Sequence, residues 1–110
     1  MKLLIVGSRS IKSFDLTEYV SDDVDLIISG GAEGIDTIAE EYADKHKISK
    51  LIIRPNYKKY AKSAPLKRNE EMVDLADEIL CIWDGVSAGT NYTIKYAHSK
   101  EKILRVINAC

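Results

Sequence analysis

Apolar residues along this chain gather in short continuous runs and do not alternate with polar ones. Five such runs occur, at residues 3–6, 24–28, 51–53, 79–83 and 103–107. Continuous apolar runs of this length are typical of strands that are buried on both faces of a parallel sheet. The pattern therefore predicts five strands.

Helical spacing appears between these runs. It is clearest in residues 35–46, where one face of the predicted helix carries Ile35, Ile38, Ala39, Tyr42, Ala43 and His46. Two more helices are predicted, at 66–76 and 89–99, with inward faces formed by Met72, Val73 and Ala76 and by Thr90, Ile94 and Ala97. A short helix is predicted over residues 14–20, capped by Ser13 or Asp15. Residues 55–65, with a proline at each end, predict a loop or a broken helix.

Strands that alternate with helices over the whole chain imply right-handed crossovers between parallel strands. We predict an α/β fold: a Rossmann-like three-layer sandwich, with a five-stranded parallel sheet and helices on both faces. A chain of 110 residues suits one domain, so residues 1–110 are assigned to a single unit.

Composition excludes several classes of protein. Hydrophobic residues form 45% of the chain, too many for a disordered protein, and no apolar run approaches the length of a membrane span. The apolar start of the chain meets Gly7 too early for a secretion signal, so we expect a cytoplasmic protein without membrane contact. Cys81 and Cys110 lack the spacing of a metal site, and we expect neither a metal nor a cofactor.

Charge is unevenly distributed, although the net charge is only −1. Residues 54–68 hold six cations and no acid, whereas the rest of the chain carries 10 cations against 17 acids. This segment is expected to attract anions.

Unusual residues follow each of the first four predicted strands. Because parallel strands present their carboxyl ends at one sheet edge, where ligands bind, these segments should line one crevice. The first three contribute Gly7, Ser8 and Arg9 after the first strand, Gly30, Gly31, Gly34 and Asp36 after the second, and Arg54 after the third. The segment after the fourth strand contributes Asp84, Gly85, Ser87, Gly89 and Thr90.

Two of these segments are glycine-rich turns that lead into helices. The unpaired N–H groups of such turns favour phosphate, so we expect phosphate to be held by the main chain of Gly30, Gly31, Gly34, Gly85, Gly89 and Thr90. Ser8, Arg9 and Arg68 are expected to add donors. Sugar or base contacts are expected from Asp36, Asn69, Glu70 and Asp84. The alternatives are that the glycines only form tight turns, that Asp36 complements a helix dipole and that Arg68 lies on a solvated helix face.

A nucleic-acid alternative comes from the cationic segment. Aromatic residues among lysines can stack on bases, and the residues concerned are Tyr57, Lys58, Lys59, Tyr60 and Lys62. A mobile basic loop would show the same pattern.

Taken in order, the motifs resemble those of the SLOG superfamily of Rossmann-like nucleotide-binding domains, which includes the DprA/SMF and LOG proteins. The resemblance is strongest to the small YspA-like proteins. The motifs are SGGAEGID at 29–36, YxKxAPLxRNxxMV at 60–73, Ala76-Asp77, WDGxSxGT at 83–90 and Tyr96-Ala97.

The resemblance implies a nucleotide or nucleotide-derived ligand bound between the two glycine turns. LOG proteins hydrolyse nucleoside 5′-monophosphates with an arginine, here Arg68, and a glutamate, whose position is held here by Thr93. Asp84 stands where the LOG motif has proline. A sensor or accessory module that binds a nucleotide is therefore the first hypothesis.

Two alternatives are kept. One is an N-glycosidase with Arg68 and either Glu70 or Asp84 as catalytic residues, and the other is DprA-like binding of single-stranded nucleic acid. We also expect a homo-oligomer, because a sheet of five strands in 110 residues has thin cover.

Overall fold

The apolar runs form a five-stranded sheet in which all neighbouring strands are parallel, in the order β3-β2-β1-β4-β5. A computed structural model describes residues 1–109, so Cys110 lies outside the described residues. The strands are β1 (Lys2–Gly7), β2 (Leu26–Ser29), β3 (Ser49–Ile52), β4 (Glu78–Trp83) and β5 (Ile103–Asn108). The α/β fold class is confirmed, and each strand end lies within two residues of the expected one.

Within residues 1–109, four α-helices connect these strands: α1 (Ile35–Lys45), α2 (Tyr57–Tyr60), α3 (Ala64–Leu75) and α4 (Ala88–Ser99). The segment at 55–65 is a broken helix, because α2 passes into a 3-10 turn at Ala61–Ser63, where Ala61 has a φ of 48°. Pro65 lies in the first turn of α3, where its missing N–H group removes no helical hydrogen bond.

The predicted helix over residues 14–20 is wrong. The N–H groups of Tyr19 and Val20 both donate to the Leu16 carbonyl, at 2.9 and 3.2 Å, and the turn goes no further. Asp15 Oδ1 accepts a hydrogen bond from the Thr17 N–H at 2.9 Å. Side chain to backbone bonds of this kind compete with helix formation, and here the bond closes a turn.

Successive residues of β1 and β4 face opposite sides of the sheet and give it two cores. The first core joins Leu3, Ile5, Ile27, Leu80 and Ile82 to α1 through Ile35, Ala39 and Ala43. The second joins Leu4, Val6, Ile28, Ile79 and Cys81 to α3 and α4 through Met72, Val73, Ala76 and Ala97. The sheet is therefore covered on both faces, and the three layers expected from the sequence are present.

The residues expected on the inward faces of the helices are not equally buried. Ile38, Tyr42 and Ile94 are half-buried, whereas Thr93 is buried beside Thr90. His46 is exposed at the end of α1, with its ring stacked on Tyr42 at 4.0 Å. None of the described helices combines the length and the apolarity that crossing a bilayer requires.

The Cys81 thiol is completely buried, and burial raises its pKa to about 12. Because the thiolate is the reactive form, we expect Cys81 in the native protein to resist iodoacetamide at pH 8. Mass mapping after a timed pulse checks this, with protein unfolded in urea as the control. Equal labelling of Cys81 in the two samples would contradict the buried position.

Candidate functional site

The carboxyl edge of the sheet carries a cavity of about 830 Å³. Its walls come from the segments that follow β1, β2, β3 and β4, together with the start of α3. Twelve of the fifteen residues that the sequence assigns to ligand binding line it: Gly7, Ser8, Arg9, Gly30, Gly31, Asp36, Arg68, Asn69, Asp84, Ser87, Gly89 and Thr90. The crevice expected from four distant segments is thus formed.

Gly34, Gly85 and Glu70 are the three that do not line the cavity. Gly34 has a φ of 75°, and a Cβ there would lie 2.5 Å from the Ser8 carbonyl oxygen. Gly85, with a φ of 89°, forms an exposed turn. The Glu70 carboxylate accepts a hydrogen bond from the Tyr92 hydroxyl and lies 3.8 Å from Lys67 Nζ. Gly34 and Gly85 therefore allow the turns in which they lie, and Glu70 supports the contact of α3 with α4.

Gly7 lines the cavity, but glycine is required at this position because the neighbouring atoms leave no room for a Cβ. An added Cβ would lie 2.3 Å from the Ile82 carbonyl oxygen and 2.6 Å from Ile35 Cγ1. We expect Gly7→Ala to lower the free energy of unfolding by about 3 kcal/mol, at the upper end for overpacked sites. Urea unfolding measures the change, with Gly89→Ala as the matched control, since no atom lies within 4 Å of a Cβ built there. Equal midpoints for Gly7→Ala and the wild type would contradict the close approach.

The turn between β2 and α1 uses several of its N–H groups internally. The Gly31 N–H donates to Ser29 Oγ at 3.3 Å, and the Ala32 N–H donates to Asp36 Oδ2 at 3.1 Å. The Ile35 N–H, the first of α1, donates to the Ser8 carbonyl at 3.4 Å. This turn therefore has few free N–H groups with which to bind the phosphate expected there.

Asp36 lies at the floor of the cavity and is only 6% exposed. Its Oδ2 accepts the Ala32 N–H, and within residues 1–109 no hydrogen bond of ordinary geometry reaches Oδ1, although the Gly30 N–H lies close enough to the carboxylate to lower its pKa. Burial raises the pKa of this carboxyl group, in spite of the Ala32 N–H and the Arg68 charge. Asp36 thus offers one acceptor to a ligand.

Arg68 reaches from α3 to the end of β2. Its Nη1 donates to the Gly30 carbonyl at 2.6 Å and more weakly to the Ile53 carbonyl at 3.4 Å, and its Nε donates to Asn69 Oδ1 at 2.8 Å. A Cβ on Gly30 would lie 2.6 Å from Arg68 Nη1 and 2.9 Å from Asp36 Oδ2. Glycine at position 30 therefore allows the guanidinium group and the carboxylate to approach the main chain together. Arg68 Nη2 has no partner among the described residues.

Asp84 organises the turn between β4 and α4. Its Oδ1 accepts hydrogen bonds from the Val86 and Ser87 N–H groups at 2.9 and 2.8 Å, and its Oδ2 accepts one from Ser10 Oγ at 2.9 Å. The two N–H groups hold the pKa of this carboxyl group well below its usual range. Asp84 therefore stays ionised at neutral pH, and it cannot act as a general acid.

The first turn of α4 opens onto the cavity. Ala88, Gly89 and Thr90 supply N–H groups that have no partner within the helix. No atom lies within 4 Å of a Cβ built on Gly89, so the space above this residue is empty. Thr93 lines the cavity one turn later and donates from Oγ1 to the Gly89 carbonyl at 3.1 Å. This turn can accept an anion with little rearrangement.

An apolar wall of the cavity was missed by reasoning from the sequence. It consists of Pro55, Tyr57, Pro65 and Leu66, which the broken helix brings beside Arg54 and Arg68. The two prolines and Tyr57 were visible in the sequence, but no apolar period indicated which way the segment folds. The lysines at 58, 59 and 62 are exposed and do not line the cavity.

Comparisons of the chain with protein-family models, with curated proteins and with solved structures find no match. In residues 1–109, no group of three or more His, Cys, Asp and Glu side chains is placed to hold a metal ion.

Proposed function

We propose that the chain binds a nucleotide or nucleotide-derived small molecule at the carboxyl edge of the sheet, as a sensor or accessory module. The observation that carries this proposal is one cavity that combines three features. These are the open first turn of α4 at Gly89, the free Oδ1 of buried Asp36 and an apolar wall that includes Tyr57. They match the phosphate, sugar and base of a nucleotide.

Each part of the ligand has its own partners in this proposal. Phosphate lies against the N–H groups of Gly89 and Thr90, where the α4 dipole favours an anion. A ribose hydroxyl donates to Asp36 Oδ1, and the free Nη2 of Arg68 donates to phosphate or sugar. The base packs on Tyr57 and Leu66, which supply flat apolar surface.

Native mass spectrometry of protein purified without added ligand tests the proposal first. A thermal-shift panel of nucleosides and their 5′-monophosphates follows, because only the monophosphates can use the α4 turn. A ligand at 100 times its Kd adds about 2.7 kcal/mol to the free energy of unfolding. A folded protein that carries no nucleotide and is stabilised by none would overturn the proposal.

Three expectations from the sequence stay predictions alongside it. They are membership of the SLOG superfamily, a cytoplasmic location and assembly into a homo-oligomer. Single-strand binding through Tyr57 and the neighbouring lysines also stays a prediction, and a steep loss of affinity with salt is its signature.

A hydrolase is the second candidate, and the position of Asp36 favours it. Hydrolysis adds water at C1′ and breaks the N-glycosidic bond, which calls for a carboxylate near the sugar. Of the carboxylates considered, Glu70 lies outside the cavity and Asp84 is held by four donor groups, whereas Asp36 has a free oxygen inside it. Release of free base that is lost in Asp36→Asn and kept in Glu70→Gln would establish this activity.

No release of free base from purine or pyrimidine monophosphates would rule out the hydrolase, and the binding proposal would be unaffected.

A further inference from the structure

Three arginines of the cavity form no ion pair. Arg9, Arg54 and Arg68 all line it, yet none lies within 4 Å of a carboxylate in residues 1–109. Arg54 makes only a 3.4 Å contact with the Gly31 carbonyl. Burial lowers the pKa of Arg68, the Asp36 and Tyr57 side chains oppose that shift, and the Arg9 charge adds to it. Arg9 and Arg54 therefore line the cavity without a paired acid, and unpaired guanidinium groups in a cavity favour binding of an anion.

The order of the strands spreads these charges along the crevice. Arg54 follows β3, Arg68 contacts the end of β2, Arg9 follows β1, and the open turn of α4 follows β4. Neighbouring strands lie about 4.8 Å apart, so the ends of β3 and β4 are separated by about 14 Å. The crevice is therefore long enough for a second anionic group near Arg54, apart from a phosphate on the α4 turn.

Of these three arginines, Arg68 interacts with a cavity acid, Asp36, whereas Arg9 and Arg54 have no carboxylate within 4 Å in residues 1–109. Asp36 and Asp84 are the only carboxylates that line it within the described residues. Asp84 is already bonded to two N–H groups and to the Ser10 and Ser87 hydroxyls. The volume of about 830 Å³ also lies near the upper end of the range of about 300–1,000 Å³ for ligand sites.

We propose that the ligand carries at least two phosphate groups, with one on the first turn of α4 and a second anionic group against Arg9 and Arg54. Nucleoside diphosphates and dinucleotides share this chemistry. The inference rests on the proposed function and narrows it to nucleotides with extended negative charge.

Isothermal titration tests it with ligands that have the same base: the 5′-monophosphate, the 5′-diphosphate and a dinucleotide with a 5′-phosphate. We expect the diphosphate, the dinucleotide or both to bind at least tenfold more tightly than the monophosphate. The tighter of the two identifies the source of the second phosphate.

Single Arg9→Gln and Arg54→Gln variants follow. Both side chains are exposed, so the fold should be retained. Each change should weaken the tighter ligand about tenfold, the effect of one lost charged hydrogen bond, and Arg54→Gln should change monophosphate binding less than about threefold. Lys95→Gln removes an exposed cation outside the cavity and is the matched control.

Equal affinity for all three ligands, or no effect of either arginine variant, would overturn the inference while nucleotide binding stood. Failure of every nucleotide to bind would overturn the proposed function as well. A twelve-residue oligonucleotide that binds far more tightly than the dinucleotide would indicate nucleic acid and also overturn it.

Discussion

Gly89→Ala is expected to weaken nucleotide binding at least tenfold while leaving the fold at least as stable as that of the wild type. A phosphate oxygen must come within about 3 Å of an N–H group to form a hydrogen bond, and a methyl group on Gly89 would occupy the space above the turn. Each hydrogen bond to a charged group contributes about 1.5–3 kcal/mol, so the loss of one gives a tenfold change or more.

The free energy of unfolding of this variant should rise although its nucleotide affinity falls. Alanine is favoured over glycine in a helix by up to about 1 kcal/mol, and a Cβ on Gly89 meets no atom within 4 Å. Lys95→Ala, in the same helix and outside the cavity, is the control and should bind as the wild type does. Titration of both variants with the best nucleotide measures the difference. Wild-type affinity in Gly89→Ala would show that no phosphate uses this turn.

Asp36→Asn is expected to raise stability and weaken binding at the same time. Burial destabilises the Asp36 carboxylate more than the Ala32 N–H and the Arg68 charge stabilise it, since the net effect is a raised pKa. Asparagine removes that cost and can still accept the Ala32 hydrogen bond. Its free end then presents an NH₂ group, so a ribose hydroxyl loses an ionic acceptor and binding weakens about tenfold.

The gain in stability should depend on pH in a defined direction. A carboxyl group with a raised folded-state pKa is more easily protonated in the folded protein than in the unfolded chain, where its pKa is 3.8. Its contribution to folding is therefore most favourable below pH 3.8 and is lost as the pH rises through the folded-state pKa.

Urea unfolding at pH 4 and pH 7 checks this expectation. The advantage of Asp36→Asn over the wild type should be larger at pH 7 than at pH 4. A variant that is less stable than the wild type at pH 7 would contradict the account of Asp36.

The sheet could be predicted from the sequence because its central strands are buried on both faces. In β1 and β4, consecutive apolar residues have no alternative except to face two cores, and their order along the chain then fixes parallel pairing. The segment at residues 14–20 could not be predicted in the same way. In that segment a hydrogen bond from the backbone to a side chain competes with helical hydrogen bonds. The Thr17 N–H donates to Asp15 Oδ1, and this bond closes a turn.

The candidate site shows a similar division. Glycines and charged residues that follow strands were predicted to meet, and twelve of fifteen line the cavity. What the spacing could not show was which hydrogen-bond donors and acceptors are already used inside the protein. The Ala32 N–H is bonded to Asp36, and Glu70 is bonded to Tyr92, so both depend on side chains brought in by folding.

A titration of ¹⁵N-labelled protein with the best nucleotide from the panel, followed by amide chemical shifts, tests the central claim most directly. The account predicts the largest changes at Ala88, Gly89 and Thr90, with further changes at Arg9 and Gly31. Changes confined to the exposed lysines at 58, 59 and 62, with the first turn of α4 unaffected, would contradict it.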